Sequence, residues 1–176
     1  ILIPTDGSVF SVRAASQGLM LAKAAGARVT GLFVAPAPTP LVFEGLVPVA
    51  YMQPEDHAKL SEQVAARLLG DIESAARQAG VPFEAVVVVD EFPADAIVRE
   101  AAKRQCDLIV MGSHGRRGLA SMLLGSETVK VLTHARQPVL QIKLHLLHRL
   151  LRRAQFRHRL ANAALVAIDQ RQRQQR

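Results

Sequence analysis

Five short apolar segments rich in β-branched residues alternate with segments of helical periodicity through the first 142 residues of the chain. Strands separated by a helix run parallel when they share a sheet, and near-continuous apolar strands indicate that helices cover both sheet faces. The alternation predicts a doubly wound α/β fold: a five-stranded parallel sheet sandwiched by helices, with right-handed crossovers. The predicted strands are residues 1–4, 28–34, 83–89, 107–111 and 138–142.

The segments between these strands carry apolar residues at three- and four-residue steps, as one buried helix face requires. Helices are predicted at 11–25, 55–79, 94–104 and 126–135, whereas five prolines make residues 35–54 a long loop. The third strand, which is apolar except for Glu84, is expected to be fully buried. The helix residues expected to face inward are Val12, Ala15, Leu19, Ala22, Ala25, Leu60, Val64, Leu68, Ile72, Ala75, Ala79, Ile97, Val98, Ala101, Val129, Leu132 and Thr133.

Basic residues are concentrated at the end of the chain. The 176 residues carry a net charge of +7, but residues 143–176 hold nine basic residues against one acidic residue. Residues 1–142 therefore carry a net charge of −1, and we treat them as one domain with 143–176 as a separate extension. Leucines at helical steps, beginning with Leu144 and Leu147, predict that this extension is a basic amphipathic helical segment or a partly disordered tail.

Several roles stay open for the extension. It could be a surface helix on an anionic membrane, a nucleic-acid arm, a helix packed on its own or a neighbouring core, or an aberrant addition to the chain. Phe156 is its single aromatic residue, which weakens both stacking on bases and anchoring at a membrane interface. We favour packing on protein and keep an anionic partner as the alternative.

Cysteine content and hydropathy narrow the class of protein further. Cys106 is the single cysteine, so no internal disulfide forms; this fits a reducing compartment, and we expect Cys106 to be a core residue. No stretch reaches about 18 apolar residues, so no transmembrane segment is expected. The chain begins at Ile1 without Met or a basic leader region. We expect no signal peptide, a few missing N-terminal residues and a cytoplasmic location.

A glycine-containing loop follows the fourth predicted strand. It begins at Gly112 and ends at Gly125, directly before the helix that starts with Ser126. Glycines allow close backbone approach, and free N–H groups at a helix N-terminus bind anions, so this loop predicts phosphate binding. The P-loop string and the dinucleotide-binding glycine fingerprint are both absent from the sequence.

The spacing of Gly112, Gly115 and Gly125-Ser126 resembles the nucleotide-binding motif of the universal stress protein family. Residues 1–8 (Ile-Leu-Ile-Pro-Thr-Asp-Gly-Ser), residues 106–115 and residues 138–140 are similar to the three most recognisable segments of that family, in the same order. The resemblance implies a single ATP-binding domain with a five-stranded parallel sheet of the adenine nucleotide alpha hydrolase-like type. It also implies a homodimer, for which Val139–Ile142 would be the edge strand that pairs with its copy.

The resemblance also implies which residues meet the nucleotide, which we expect to be ATP with Mg²⁺. Pro4, Thr5 and Asp6 match the part that meets adenosine, and Val34 matches the backbone contact to adenine. The residues that match the ribose and phosphate side are Met111, Gly112, Gly115, Gly125, Ser126 and Glu127. We add Ser113, His114, Arg116 and Thr128, which lie in the same two segments, to the candidate nucleotide-binding residues.

Structural interpretations compete with some of these assignments. Asp6 could simply cap the first helix, and Ser126 is expected to be an N-cap whether or not it binds phosphate. Arg116 could be a solvated loop residue, and we interpret His114 as a hydrogen-bonded loop histidine rather than a catalytic or metal-binding one. The Asp90-Glu91 pair is expected to form a solvated turn rather than a metal site.

No residue is placed by the pattern as a base that would activate water, and no lysine or arginine finger is evident. We therefore assign no catalytic residue and interpret the chain as an ATP-binding stress-response or regulatory protein, whose nucleotide occupancy orders the glycine loop and alters partner interactions. Two alternatives remain: a nucleotide-free protein-interaction module of the same fold, and a slow ATP-hydrolysing enzyme.

Overall fold

A computed structural model of the protein describes residues 1–37, 54–113 and 125–143. The chain divides into two units, Ile1–Ile142 and Lys143–Arg176, and nearly all of the described residues belong to the first. The expectations for the amphipathic extension, for most of the proline-rich loop and for His114, Gly115 and Arg116 fall outside the described residues. None of the helices in the described part is long and apolar enough to span a bilayer.

The described residues form a parallel sheet with strand order β3-β2-β1-β4-β5. The order of strands and helices along the chain is as predicted, which confirms the five-stranded α/β fold. The strands are β1 (Leu2–Pro4), β2 (Val29–Ala35), β3 (Phe83–Val89), β4 (Ile109–Gly112) and β5 (Val139–Ile142). The helices are α1 (Val9–Ala25), α2 (Pro54–Ala79), α3 (Pro93–Lys103) and α4 (Ser126–His134).

Two helices cover each face of the sheet. Successive strand residues point to opposite faces, so Leu2 packs in one core cluster with residues of α3 and α4, whereas Ile3 packs in another with residues of α1 and α2. The same alternation separates Ile109 from Val110 on β4. Cys106 lies in the α3 and α4 cluster at 9% exposure, which confirms that it is a core residue.

The expectation that the third strand is fully buried is wrong. β3 is an edge strand of the described sheet, and Val87 and Val89 are 48% and 63% exposed. Both residues are in register with Phe33 and Ala35 of β2, which are buried against α2, whereas Val87 and Val89 themselves stay exposed. A largely apolar strand therefore cannot be assigned to the centre of a sheet by hydropathy alone.

The inward face predicted for the last helix is also wrong. Val129 and Leu132 are 44% and 41% exposed and Thr133 is exposed as well, whereas Thr128 and Val131 are buried. The rotation has a local cause, because the Thr128 hydroxyl donates to the buried carbonyl of Gly112 at 3.1 Å. Further residues expected inside are exposed in the structure: Val12, Ala25, Leu60 and Ala75.

Candidate functional site

The strand order brings two loops together at one edge of the sheet. β1 continues through α1 to β2 on one side, whereas β4 continues through α4 to β5 on the other side. The chain thus changes direction between the neighbouring strands β1 and β4. Doubly wound sheets bind ligands outside the carboxyl ends of the strands at such a point, so the residues that follow β1 and β4 form the candidate site.

The loop after β1 is a tight polar turn. The Thr5 N–H donates to the Leu32 carbonyl at 2.8 Å, and the Gly7 N–H donates to Thr5 Oγ1 at 3.3 Å, with a left-handed φ of 77° at Gly7. Asp6 Oδ1 accepts the Ser8 N–H at 3.0 Å, as in an Asx turn. These bonds fix the half-buried Asp6 carboxylate at the carboxyl end of β1.

The N-cap of α1 is Ser8, so the alternative hypothesis that Asp6 caps this helix is wrong. Ser8 Oγ accepts the Ser11 N–H at 3.2 Å, whereas Asp6 binds the Ser8 amide before the helix begins. The Thr5 hydroxyl donates to Ser11 Oγ at 3.2 Å, which ties the turn to the helix. Ser11 is a site residue that no sequence motif singled out, although its spacing of three residues from Ser8 is the usual capping interval.

Gly112, the last residue of β4, lies against the first turn of α1. A Cβ atom at this position would lie 2.8 Å from the carbonyl carbon of Phe10 and 3.0 Å from its oxygen. Since these are backbone atoms, no side-chain rotation can make room for it. A glycine is therefore required where the end of β4 approaches the helix that follows the Asp6 turn.

The two ends of the glycine loop are joined by a backbone hydrogen bond. The Gly125 N–H donates to the carbonyl of Ser113 at 2.8 Å, and the Ser113 N–H donates to the carbonyl of Ile142 at 3.0 Å. Ser113 is buried, with 2% of its surface exposed. The segment between Ser113 and Gly125 therefore starts and finishes at the end of β4, beside the Asp6 turn.

The N-terminus of α4 has a glycine as its N-cap. Gly125 occupies that position with φ −70° and ψ 148°, and no side chain at the cap bonds to the helix. The prediction that Ser126 is the N-cap is therefore wrong, because Ser126 is the first residue of the helix and is exposed. A cap without an acceptor side chain leaves the first N–H groups of the helix to another acceptor, such as an anion.

Glu127 lies in the first turn of α4 but bonds to another helix. Its Oε2 accepts the N–H of Ala94, near the N-terminus of α3, at 3.0 Å. Its Oε1 lies 2.9 Å from Lys130 Nζ. The carboxylate thus links the starts of α3 and α4.

Pro4, Val34 and Met111 also lie at the carboxyl ends of adjacent strands. Pro4 is paired with Leu32, two residues before Val34 on β2. Val34 is half-buried, and Met111 is 7% exposed with its side chain in the α3 and α4 core cluster. A ligand at this edge would therefore meet the main chain of Met111 rather than its side chain.

Asp90 forms the turn expected at the end of β3, but its side chain is only 19% exposed and is therefore not freely solvated. Its carboxylate accepts the Phe92 N–H at 2.8 Å and the Arg99 guanidinium at 2.8 Å. The Phe92 N–H foremost, and then Arg99, hold the pKa of Asp90 below its ordinary value. Within the described residues, no group of three His, Cys, Asp or Glu side chains is placed to hold a metal ion.

The structure thus brings Pro4, Thr5 and Asp6 to the same edge as Met111, Gly112 and Ser113 and the segment 125–128. The fold and this edge define an α/β protein of the adenine nucleotide alpha hydrolase-like class. The sequence profile of the universal stress protein family matches residues 1–143. The chain belongs to that family.

Known relatives span most of the chain. It is 35% identical over 143 residues to the universal stress protein MJ0531 of Methanocaldococcus jannaschii, a match that covers 81% of each chain. The structure of MJ0577 from the same organism is 25% identical with a TM-score of 0.64, over 81% of this chain and 93% of that one. A universal stress protein crystallised in complex with cAMP is 26% identical with a TM-score of 0.56, over 81% of this chain and 94% of the other.

Proposed function

We propose that this chain binds an adenine nucleotide, ATP with Mg²⁺, between the Asp6 turn and the N-terminus of α4. The observation that carries the proposal is the Gly125 N–H bond to Ser113. It closes the glycine loop on the end of β4, where Gly112 brings that strand against the start of α1. An acceptor-rich turn and a glycine-capped helix N-terminus then lie at the same edge of the sheet, and a nucleoside with a phosphate tail needs both.

Each part of the site suits a different part of the nucleotide. Asp6 supplies acceptors for ribose hydroxyls or the adenine amino group, and Val34 supplies main-chain groups for the base. Ser126 supplies a hydroxyl and the α4 N-terminus supplies N–H groups for phosphate. Mg²⁺, when bound with the nucleotide, would neutralise part of the phosphate charge. The relative in complex with cAMP supports the adenine nucleotide class.

We propose that the protein acts by binding rather than by turnover, as a stress-response or regulatory protein in the cytoplasm, where adenine nucleotides are abundant. Nucleotide occupancy would order the segment between Ser113 and Gly125 and so change the surface that a partner meets. A partner protein would then distinguish the occupied state from the empty state.

The test is calorimetric titration of the full chain with ATP in the presence and absence of Mg²⁺. The wild type is expected to bind, and Gly125→Val is expected to lose binding because a branched side chain at the helix cap intrudes on the phosphates. Gly70→Val is the matched control, since Gly70 lies on α2 and a Cβ atom added there would have no atom within 4 Å. Absence of wild-type binding at millimolar ATP would favour the nucleotide-free interaction module.

A second measurement separates binding from catalysis. Phosphate release from ATP is expected to stay at the background rate. Release well above background that is lost in Gly125→Val would instead identify the chain as a slow ATP-hydrolysing enzyme.

We further propose a homodimer through Val139–Ile142. β5 is an edge strand of the described sheet, and Leu140 on it is 40% exposed. In the described part of the chain, Gln137 Oε1 and Gln141 Nε2 are buried without a hydrogen-bond partner. Pairing with a second copy would cover the backbone groups of the free edge. It would also bring groups of the partner chain near the two glutamine side chains.

The dimer test compares the two sheet edges. Leu140→Asp is expected to give monomers in size-exclusion chromatography with light scattering, whereas Val87→Asp on β3 is the matched control and is expected to leave the dimer intact. The opposite result would place the interface at β3. If neither substitution dissociates the dimer, the interface lies on another surface.

A further inference from the structure

The N-terminus of α3 lacks a cap from its own segment. Phe92 is the N-cap residue, with φ −115° and ψ 85°, and its side chain makes no capping bond. Pro93 follows as the first helical residue and has no N–H to donate. Ala94 therefore carries the first N–H group of this helix that needs an acceptor.

The acceptor comes from α4. Glu127 Oε2 accepts the Ala94 N–H at 3.0 Å across a separation of 33 residues in sequence. The other oxygen, Oε1, pairs with Lys130 Nζ at 2.9 Å on the same helix. The positive end of the α3 dipole and the ammonium group thus both compensate the carboxylate.

This arrangement decides where a negative charge lies relative to the α4 N-terminus. A glutamate in the first turn of a helix usually stabilises the N-terminus of its own helix, where it would compete with a bound anion. Here both Glu127 oxygens have other partners. The first turn of α4 is in addition tied to β4 by the Gly125 bond to Ser113 and the Thr128 bond to Gly112.

We propose that Glu127 is a positioning residue for the phosphate groups, acting through α3 rather than by touching the nucleotide. Its bond to Ala94 ties the first turn of α4 to α3 and keeps the carboxylate from occupying the N–H groups of its own helix. This inference rests on the proposed nucleotide site and assigns the Glu127 side chain a role that differs from direct ligand contact.

The experiment compares Glu127→Ala with Glu127→Gln in the full chain. Affinities for ATP and for adenosine are measured by calorimetry, because adenosine lacks the phosphates that α4 would hold. Glu127→Ala is expected to weaken ATP binding about fivefold, the equivalent of one lost capping bond, and to leave adenosine binding in place. Glu127→Gln keeps an acceptor for Ala94 and removes a negative charge, so it is expected to bind ATP at least as tightly as wild type.

An amide-exchange measurement and a control variant complete the comparison. Exchange of the Ala94 amide hydrogen, followed by NMR, is expected to accelerate in Glu127→Ala and to change little in Glu127→Gln. Glu73→Ala is the matched control: Glu73 is an exposed carboxylate on α2 that pairs with Arg77 at 3.2 Å, and its loss is expected to change neither affinity.

The outcomes distinguish the inference from the function on which it rests. If both Glu127 variants bind ATP more tightly by the same factor, Glu127 acts by charge alone and the positioning role is refuted. If wild type binds ATP and neither variant changes the ratio of ATP to adenosine affinity, Glu127 has only a structural role. The inference then fails while the proposed function stands. If wild type does not bind ATP at all, the proposed function fails and takes the inference with it.

Discussion

Substitution of Gly112 by alanine tests the close approach on which the site geometry depends. The added methyl carbon would lie 2.8 Å from the Phe10 carbonyl carbon, whereas ordinary van der Waals contact begins at 3.4 Å. The end of β4 and the first turn of α1 must therefore separate by about 0.6 Å, and overpacking of a buried contact by one methyl group costs about 2 to 3 kcal/mol. We expect the free energy of unfolding of Gly112→Ala to fall by that amount.

Two other glycines separate this clash from the general effects of replacing glycine. Gly26 ends α1 with a left-handed φ of 64° and has open space around its Cβ position, so Gly26→Ala is expected to cost about 1 kcal/mol from backbone strain alone. Gly70 lies inside α2 with no atom within 4 Å of its Cβ position. Gly70→Ala is expected to stabilise the protein by about 0.5 to 1 kcal/mol through helix propensity.

The assay is equilibrium unfolding in urea, monitored by circular dichroism. The unfolding free energies of the three variants are compared with that of the wild type, and their m-values should match its m-value. The expected order of stability is Gly70→Ala above wild type, followed by Gly26→Ala and then Gly112→Ala. A loss for Gly112→Ala no larger than that for Gly26→Ala would refute the reasoning, because it would mean that β4 and α1 do not meet as closely as the structure places them.

Three further predictions concern a buried bond, acid stability and the basic extension. Thr128→Val removes the donor to the Gly112 carbonyl while keeping the side-chain shape, and should cost about 1.5 kcal/mol in urea unfolding; no loss would show that the bond does not set the rotation of α4. The pKa of Asp90 is lowered from 3.8 in the folded state, so the stability it contributes is complete above that pH and is lost as the pH falls towards the folded pKa. The free energy of unfolding of Asp90→Asn should therefore fall less steeply at acid pH than that of the wild type. A pH profile identical to that of the wild type would contradict the role of the turn. A chain ending at Lys143 lacks most of a segment of net charge +8 and should lose salt-sensitive retention on anionic vesicles or nucleic acid. It should also keep its fold and its ATP affinity, whereas unfolding would mean that the extension belongs to the core or the dimer.

The sequence predicted the sheet and the order of its elements because each strand and helix carries its own local pattern. Alternation of short apolar runs with helical periodicity allows few parallel topologies, and the glycines at 112 and 125 mark the edge where the loops meet. The sequence could not show that Glu127 caps α3, because the bond to Ala94 joins residues 33 positions apart. A long-range side-chain contact of this kind leaves no periodicity to detect.

The wrong prediction for α4 has a different origin. Periodicity identifies an apolar stripe but not the surface that the stripe faces. Val129 and Leu132 form such a stripe, yet the bond from Thr128 to Gly112 turns them outwards and buries Val131 instead. α4 therefore has one apolar side that packs in the core and a second apolar side that the described residues leave exposed.

The second apolar side of α4 bears on the proposed dimer. Val129 and Leu132 on α4 and Leu140 on β5 are each at least 40% exposed, and all three belong to the last helix and strand of the described sheet. Isolated exposed apolar residues need no explanation, but three of them on two consecutive elements, one of which is a free edge strand, favour a surface that another chain covers. If Leu140→Asp gives monomers, Val129→Asp should weaken the dimer as well. A dimer unaffected by Val129→Asp would confine the interface to the strand edge and leave the outer side of α4 to another partner.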